Sequence, residues 1–238
     1  MKSPRALSLG VCVAALSLFR SSPAAQPIPV SYAVRLASAT VYDTRSRDED
    51  TVHASLSVFV NGERKGVSIW DGKAWDGSRI EGRRWVTGLH LFGTPPENSV
   101  SKSNNANNVS NLQVSTGRIQ DTDSVQIVFE MLNASTEPSS ANHEAAAGRI
   151  QQSACAGGDG GSAWECLAPQ AGSILAGWSI GSCDGLVAAD KLVYTAMQLR
   201  RKTETGETVT VTNIYRASDP PAACGNSIYG AAVTIARQ

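Results

Sequence analysis

Three of the five tryptophans of this chain lie in one short segment, residues 70–85, among acidic, basic and glycine residues. The segment contains two Trp-Asp-Gly copies, which begin at Trp70 and Trp75. Sugar-binding surfaces combine flat apolar rings with planar hydrogen-bonding groups, because a sugar ring has an apolar C–H face and a hydroxyl rim. The segment therefore predicts a carbohydrate-binding surface, and the residues expected to contact the ligand are Trp70, Trp75, Trp85, Asp76 and Arg79.

A structural interpretation of the same segment stays open. Asp-Gly is a turn dipeptide, so the two copies would mark two turns with their tryptophans packed inwards. The segment also offers carboxylates for glycoside hydrolysis, which needs two of them about 5–10 Å apart across a cleft. Asp71 or Asp76, together with Glu81, would form that pair. Binding without catalysis is the first hypothesis, and a secreted hydrolase acting on polysaccharide is the alternative.

Two further motifs point to catalysis but are incomplete. Gly177-Trp178-Ser179-Ile180-Gly181 matches the nucleophile elbow of serine hydrolases, in which a sharp turn exposes the serine. In those enzymes the catalytic histidine follows the serine along the chain, whereas the last histidine here is His143. His143-Glu144 begins like a zinc-protease helix, but Ala147 stands where the second ligand is required. The sequence therefore predicts no catalytic residue from either motif.

The densest cluster of charges lies in residues 43–51. Within it, Asp48 and Asp50 are the candidate ligands for Ca²⁺, which prefers oxygen donors on flexible loops. Arg45 and Arg47 stand where an EF-hand would carry oxygen ligands. A solvated loop whose charges neutralise one another is therefore the favoured interpretation. No other motif indicates a metal or an organic cofactor.

The elements that would position these groups are strands. Apolar and polar residues alternate along 54–60, and Asn61-Gly62 follows, which is the strongest short signal for a hairpin. The same period of two predicts strands at 30–41, 64–70, 85–92, 125–132 and 228–235, and a second hairpin with arms 192–200 and 207–215. Residues 143–152 form the one predicted helix. The pattern predicts an all-β fold, an antiparallel β-sandwich or partly open barrel with one short helix and long surface loops.

Residues 1–24 are typical of a secretory signal peptide. Lys2 and Arg5 precede the apolar stretch 6–19, which is too short to cross a bilayer, and small residues follow at 22–24. The expected mature chain, 25–238, is a single secreted domain. Three of the 21 basic residues leave with the signal, against 21 acidic residues that stay, so the mature chain is mildly acidic. This balance provides no electrostatic attraction to nucleic acid.

Four cysteines remain after Cys12 leaves with the signal peptide. An even number of cysteines in an exported chain predicts two disulfides, with three connectivities open. The expected pairs are Cys155–Cys166 and Cys183–Cys224. None of the spacings fits the short C-x2-4-C pattern of zinc sites, so a structural zinc is not expected.

Two sequons, at Asn108 and Asn133, predict N-glycosylation in a eukaryotic host. Asn108 lies in a tract rich in asparagine and serine, which cannot build a core and is expected to form an exposed loop. Together these features predict a secreted, disulfide-stabilised glycoprotein that binds an extracellular glycan or protein surface, as a carbohydrate binder or a secreted effector would.

Overall fold

The structure, a computed structural model, describes residues 28–43, 45, 50–74, 113–158, 161–178, 181, 183–217 and 224–238. It describes the side chains of these residues except those at 38, 40–43 and 70–74. The strands are β1 (Tyr32–Asp43), β2 (Asp50–Val60), β3 (Glu63–Ala74), β4 (Gln113–Ser115), β5 (Ser124–Asn133), β6 (Gly185–Thr195), β7 (Val209–Ala217) and β8 (Ser227–Arg237). The helices are α1 (Ser140–Gln152), α2 (Trp164–Leu167), α3 (Ala171–Ile174) and α4 (Ala196–Lys202), with a 3-10 turn, Ala168–Gln170, between α2 and α3.

The strands form two antiparallel four-stranded sheets. The first sheet has the order β4-β1-β8-β7, and the second has the order β3-β2-β5-β6. Alternate side chains of both sheets, such as Leu36 and Tyr229 in the first and Leu56 and Phe129 in the second, lie in one buried core. The predicted all-β sandwich is therefore confirmed, and apolar residues at a period of two supply its inner faces.

The Asn61-Gly62 hairpin is also confirmed. Asn61 has a φ of 53° and Gly62 a φ of 81°, as a two-residue turn with positive φ at both positions requires. The turn joins β2 to β3, which pair antiparallel from Val60 opposite Glu63 to Asp50 opposite Ala74.

The second predicted hairpin, with arms 192–200 and 207–215, is wrong. Strand β6 ends at Thr195, and α4 begins directly after it. The Thr195 side chain accepts a hydrogen bond from the Gln198 backbone, while the Gln198 side chain accepts one from the Thr195 backbone. This reciprocal cap starts a helix where the alternation of apolar residues suggested a strand. Strand β7 therefore pairs with β8 and lies in the other sheet.

Helix α1 contains the predicted helix 143–152 and begins three residues earlier, after a cap at Ser139. It packs on the outer face of the second sheet, so nearly every residue of β2 is buried on both faces. Beneath it, Glu130 Oε1 accepts a hydrogen bond from Ser55 Oγ at 3.0 Å and lies 2.8 Å from His143 Nδ1. We call Ser55, Glu130 and His143 the polar seam. It joins α1 to β2 and β5.

Both predicted disulfides, Cys155–Cys166 and Cys183–Cys224, are present, which resolves the three connectivities. In the part of the chain that the structure describes, no helix is long and apolar enough to cross a membrane. The two disulfides are consistent with an extracellular protein.

Candidate functional site: a cleft beside both disulfides

A cleft of about 410 Å³ opens where α2, the 3-10 turn and α3 face the ends of β6 and β7. Its volume is in the range typical of small-molecule sites. The apolar part of its lining comes from Trp164, Ala168, Pro169, Ala171, Leu175, Leu186 and Ala217. The charged part comes from Arg45, Glu165, Asp184 and Arg216. We call this feature the disulfide cleft, because both disulfides adjoin it.

Each disulfide includes a cysteine that is a chain neighbour of a residue lining the cleft. Cys166 directly follows Glu165, and Cys183 directly precedes Asp184. On the same side as Asp184, the Gly225 backbone, next to Cys224, donates a hydrogen bond to the carbonyl oxygen of Arg45 at 2.9 Å. Two covalent links therefore restrain the cleft, so the protein loses less conformational entropy when a ligand binds.

Arg45 is a partly buried charged group of the cleft. Burial lowers the pKa of its guanidinium, an effect that the carboxylates of Asp50 and Asp184 oppose. Its Nε is buried and has no hydrogen-bond partner among the residues that the structure describes. A Cβ added at Gly185 would lie 3.1 Å from Arg45 Cζ, so glycine at this position leaves room for the guanidinium. Arg45 thus brings a partly desolvated positive charge to the cleft.

Asp184 plays a structural part in the cleft. Its Oδ1 accepts a hydrogen bond from the Ser135 backbone at 3.0 Å, and its Oδ2 accepts from Ser135 Oγ at 2.9 Å and from the Gly181 backbone at 2.6 Å. Three donors hold this carboxylate near the Arg45 guanidinium, with which it interacts electrostatically. The negative charge of Asp184 therefore offsets the positive charge of Arg45.

Trp164 and Arg216 connect the cleft to the core. The indole Nε1 of Trp164 donates a hydrogen bond to the carbonyl oxygen of Arg216 at 2.8 Å, and its ring lies edge-on against Tyr215, with centroids 5.9 Å apart. Trp164 is nearly fully buried. The tryptophan therefore links α2 to β7 through the backbone of Arg216.

A buried carboxylate, Asp190, fixes the same region from within the sandwich. Five donors surround it at 2.8–3.2 Å: Ser162 Oγ, the backbone nitrogens of Ala163 and Lys191, Asn213 Nδ2 and Tyr215 Oη. They belong to β6, to β7 and to the segment that leads into α2. A buried charge is tolerated when its hydrogen bonds are all made, and here they join both sheets to the wall of the cleft.

The predicted carbohydrate surface lies largely outside the described residues. Trp70 and Asp71 belong to β3, where Trp70 is opposite Ala54 and Asp71 is opposite His53 of β2. The remaining residues of that prediction, Trp75, Asp76, Arg79, Glu81 and Trp85, fall outside the described residues. Sugar binding by this segment, and hydrolysis by its carboxylates, stay predictions.

Asp50, one of the two candidate Ca²⁺ ligands, is buried at the start of β2. Its Oδ2 accepts hydrogen bonds from the Arg45 backbone at 2.7 Å and from Tyr229 Oη at 2.6 Å. Asp48 falls outside the described residues. No group of three potential metal-ligating side chains occurs among the residues described. The observed role of Asp50 is to anchor the loop that carries Arg45.

The structure describes the sequon asparagine at Asn133 but not the one at Asn108. Asn133 is buried at the end of β5, where its Oδ1 accepts from the Thr51 backbone at 3.0 Å and its Nδ2 donates to the Cys183 carbonyl at 3.2 Å. A glycan on Nδ2 would have to displace the bond to Cys183. Asn108 falls outside the described residues. Glycosylation at either position stays a prediction, and the second site requires a local rearrangement.

The elbow-like motif lies beside the polar seam. Trp178 packs edge-on against His143, with ring centroids 5.5 Å apart. His143 is a fully buried residue of α1, and Ser179 falls outside the described residues. Because His143 is buried and hydrogen-bonded to Glu130, it forms part of the packing between α1 and the second sheet.

Sequence reasoning missed the four charged residues of the disulfide cleft. Glu165 and Asp184 each adjoin a cysteine, which is the one signal that could have drawn attention to them. Arg45 appeared only as part of a charge cluster, and Arg216 as part of a strand. They lie far apart along the chain and meet only through the sandwich topology.

No protein-family model matches this chain, and no curated protein is significantly similar to it in sequence.

Proposed function

We propose that this chain is an extracellular binding protein that holds its ligand in the disulfide cleft. The observation that carries the proposal is the cleft itself: it has a volume of about 410 Å³, its lining combines apolar residues with four charged ones, and both disulfides adjoin it. Preformed clefts with a few convergent polar groups are the usual seats of small ligands. Disulfides that hold such a cleft open suit a protein working in an oxidising compartment.

The four charged residues of the cleft favour a ligand without net charge. Arg45 and Arg216 bring two positive charges, and Glu165 and Asp184 bring two negative ones. The carboxylates would repel a phosphate or sulfate, and the guanidinium groups would repel a polycation. A neutral carbohydrate residue suits both signs, because its hydroxyls donate to carboxylates and accept from guanidinium groups.

Binding without catalysis is the form of the proposal that these residues support best. The lining of the cleft contains no histidine, serine or cysteine, within the described residues. The carboxylate of Asp184 is already bonded to Ser135 and Gly181. The alternative, a polysaccharide hydrolase using Asp71 or Asp76 with Glu81, depends on residues outside the described part of the chain.

The test uses two helical glycines as a matched pair. Gly172 lines the cleft, whereas Gly148 lies on α1 outside its lining, and a Cβ at either position would meet no atom within 4 Å. Gly172→Phe should fill the cleft, and Gly148→Phe should leave it unchanged. The mature protein and both variants are passed over a panel of insoluble neutral polysaccharides, and retention is measured together with the release of reducing ends.

Retention that Gly172→Phe reduces at least tenfold, while Gly148→Phe does not, would support the cleft as the binding site. Equal retention of both variants would contradict it. A third variant, Trp75→Ala, tests the tryptophan segment: loss of retention in this variant alone would assign binding to residues 70–85. Release of reducing ends that disappears in Glu81→Gln would establish the hydrolase alternative.

A further inference from the structure

Three of the four sheet edges carry features that discourage pairing with another strand. Strand β4 has only three residues. Strand β3 begins with three exposed charged residues, Glu63, Arg64 and Lys65. Strand β6 is covered near its middle by Gly157, whose backbone nitrogen donates to the Lys191 carbonyl oxygen at 2.7 Å. Short length, charge and coverage are the usual means by which native sheets avoid edge-to-edge association.

The fourth edge, β7, has none of these features over residues 209–215; beyond them, Arg216 is charged and its carbonyl oxygen accepts a hydrogen bond from Trp164 Nε1. Strand β7 pairs with β8 over nine residues without a register shift, and it contains neither proline nor lysine. Thr210, Thr212 and Ile214 are exposed on its outer face, and Ile214 keeps 46% of its accessible surface. A regular edge that is uncharged over residues 209–215 is a template for another strand.

We infer that β7 is a dimerisation surface, on which β7 of a second copy adds as an antiparallel strand and joins the two first sheets into one. A two-fold axis perpendicular to the sheet pairs identical strands in this orientation, and the contact is then closed. With the axis at Thr212, the exposed side chains pair as Thr212 with Thr212 and as Thr210 with Ile214. Such cross-strand pairs of threonine and β-branched side chains are favourable.

The charges near the ends of β7 also favour a second copy as the occupant. Glu207 precedes the strand and Arg216 lies near its end. With the axis at Thr212, Glu207 of each molecule reaches the end of the other molecule's β7, next to Arg216, so charges of opposite sign lie near each other at both ends. The near balance of acidic and basic residues in the whole chain adds little repulsion between copies.

Sedimentation velocity of the mature protein over a range of concentrations tests the inference. The protein should sediment as a reversible dimer. Thr212→Lys places like charges near the two-fold axis and should raise the dissociation constant of the dimer about 100-fold or more. The matched control, Ile69→Lys, changes an exposed apolar residue of the protected edge β3 and should leave the dimer unchanged.

Circular dichroism of each variant establishes that it folds. If Thr212→Lys does not fold, Ile214→Lys takes its place in the experiment. A monomer at every soluble concentration of the unmodified protein would overturn the inference. A dimer that Thr212→Lys and Ile69→Lys weaken equally, or that neither variant weakens, would overturn it as well. The result is independent of glycan retention, so it does not depend on the proposed function.

Discussion

Tyr215 shows how one residue connects the core to the cleft. Its ring packs against Trp164 and lies 6.2 Å from that of Phe129, while its hydroxyl donates to Asp190. Burial, and next the negative charge of Asp190, raise the pKa of the Tyr215 phenol well above its ordinary value of 10.0. The neutral phenol is therefore the form that stabilises the folded protein.

The consequence is a loss of stability at alkaline pH. Because the folded state holds the Tyr215 proton more tightly, its contribution is complete below pH 10 and is lost as the pH rises above 10. The loss reaches at most about 1.4 kcal/mol per pH unit. We expect Tyr215→Phe to remove this dependence, so the difference in free energy of unfolding between the two proteins should shrink above pH 10. Urea unfolding at pH 9 to 11 measures it, and a constant difference would contradict the assignment.

At the scale of elements, helix α1 is attached to the second sheet through the polar seam. Glu130 and His143 are fully buried, and Glu130 Oε2 and His143 Nε2 have no hydrogen-bond partner among the described residues. Buried polar groups whose hydrogen bonds are only partly made are costly, so the seam specifies the position of α1 more than it stabilises the fold.

Single and double substitutions test this interpretation. Glu130→Leu leaves the Ser55 hydroxyl and the His143 imidazole without their acceptor, and His143→Leu leaves the carboxylate short of a donor. Each should lower the free energy of unfolding by about 2–4 kcal/mol. The double variant replaces both partners by apolar groups and should recover most of that loss, as measured by urea unfolding at neutral pH. Additive losses in the double variant would show that the pair is a net source of stability.

The same helices and strands show what the sequence could predict. Alternation along β2, with Asn61-Gly62 after it, predicted a hairpin, because the turn residues and the period agree. Residues 196–200 carry the same alternation but form part of α4, because the cap between Thr195 and Gln198 decides the local structure. Periodicity alone could not distinguish the two cases, and it could not show which strands share a sheet.

At the scale of the whole molecule, the candidate site is a product of topology. Arg45 comes from the loop before β2, Glu165 from α2, Asp184 from the end of a loop and Arg216 from β7. Sequence reasoning predicted both disulfides correctly, starting from the even number of cysteines in a chain expected to be exported. It could not show that both bridges adjoin one cleft, since no local pattern encodes the meeting of distant segments.

The most direct test of the account is a ligand titration followed by amide chemical shifts of the mature, isotope-labelled protein. The titrant is a soluble oligosaccharide of the polysaccharide that retains the protein best. We expect the largest shifts in residues 164–172 and 184–186 and at Arg216, with none of comparable size in Gly172→Phe. Shifts confined to residues 70–85, or equal shifts in the filled-cleft variant, would contradict binding in the disulfide cleft.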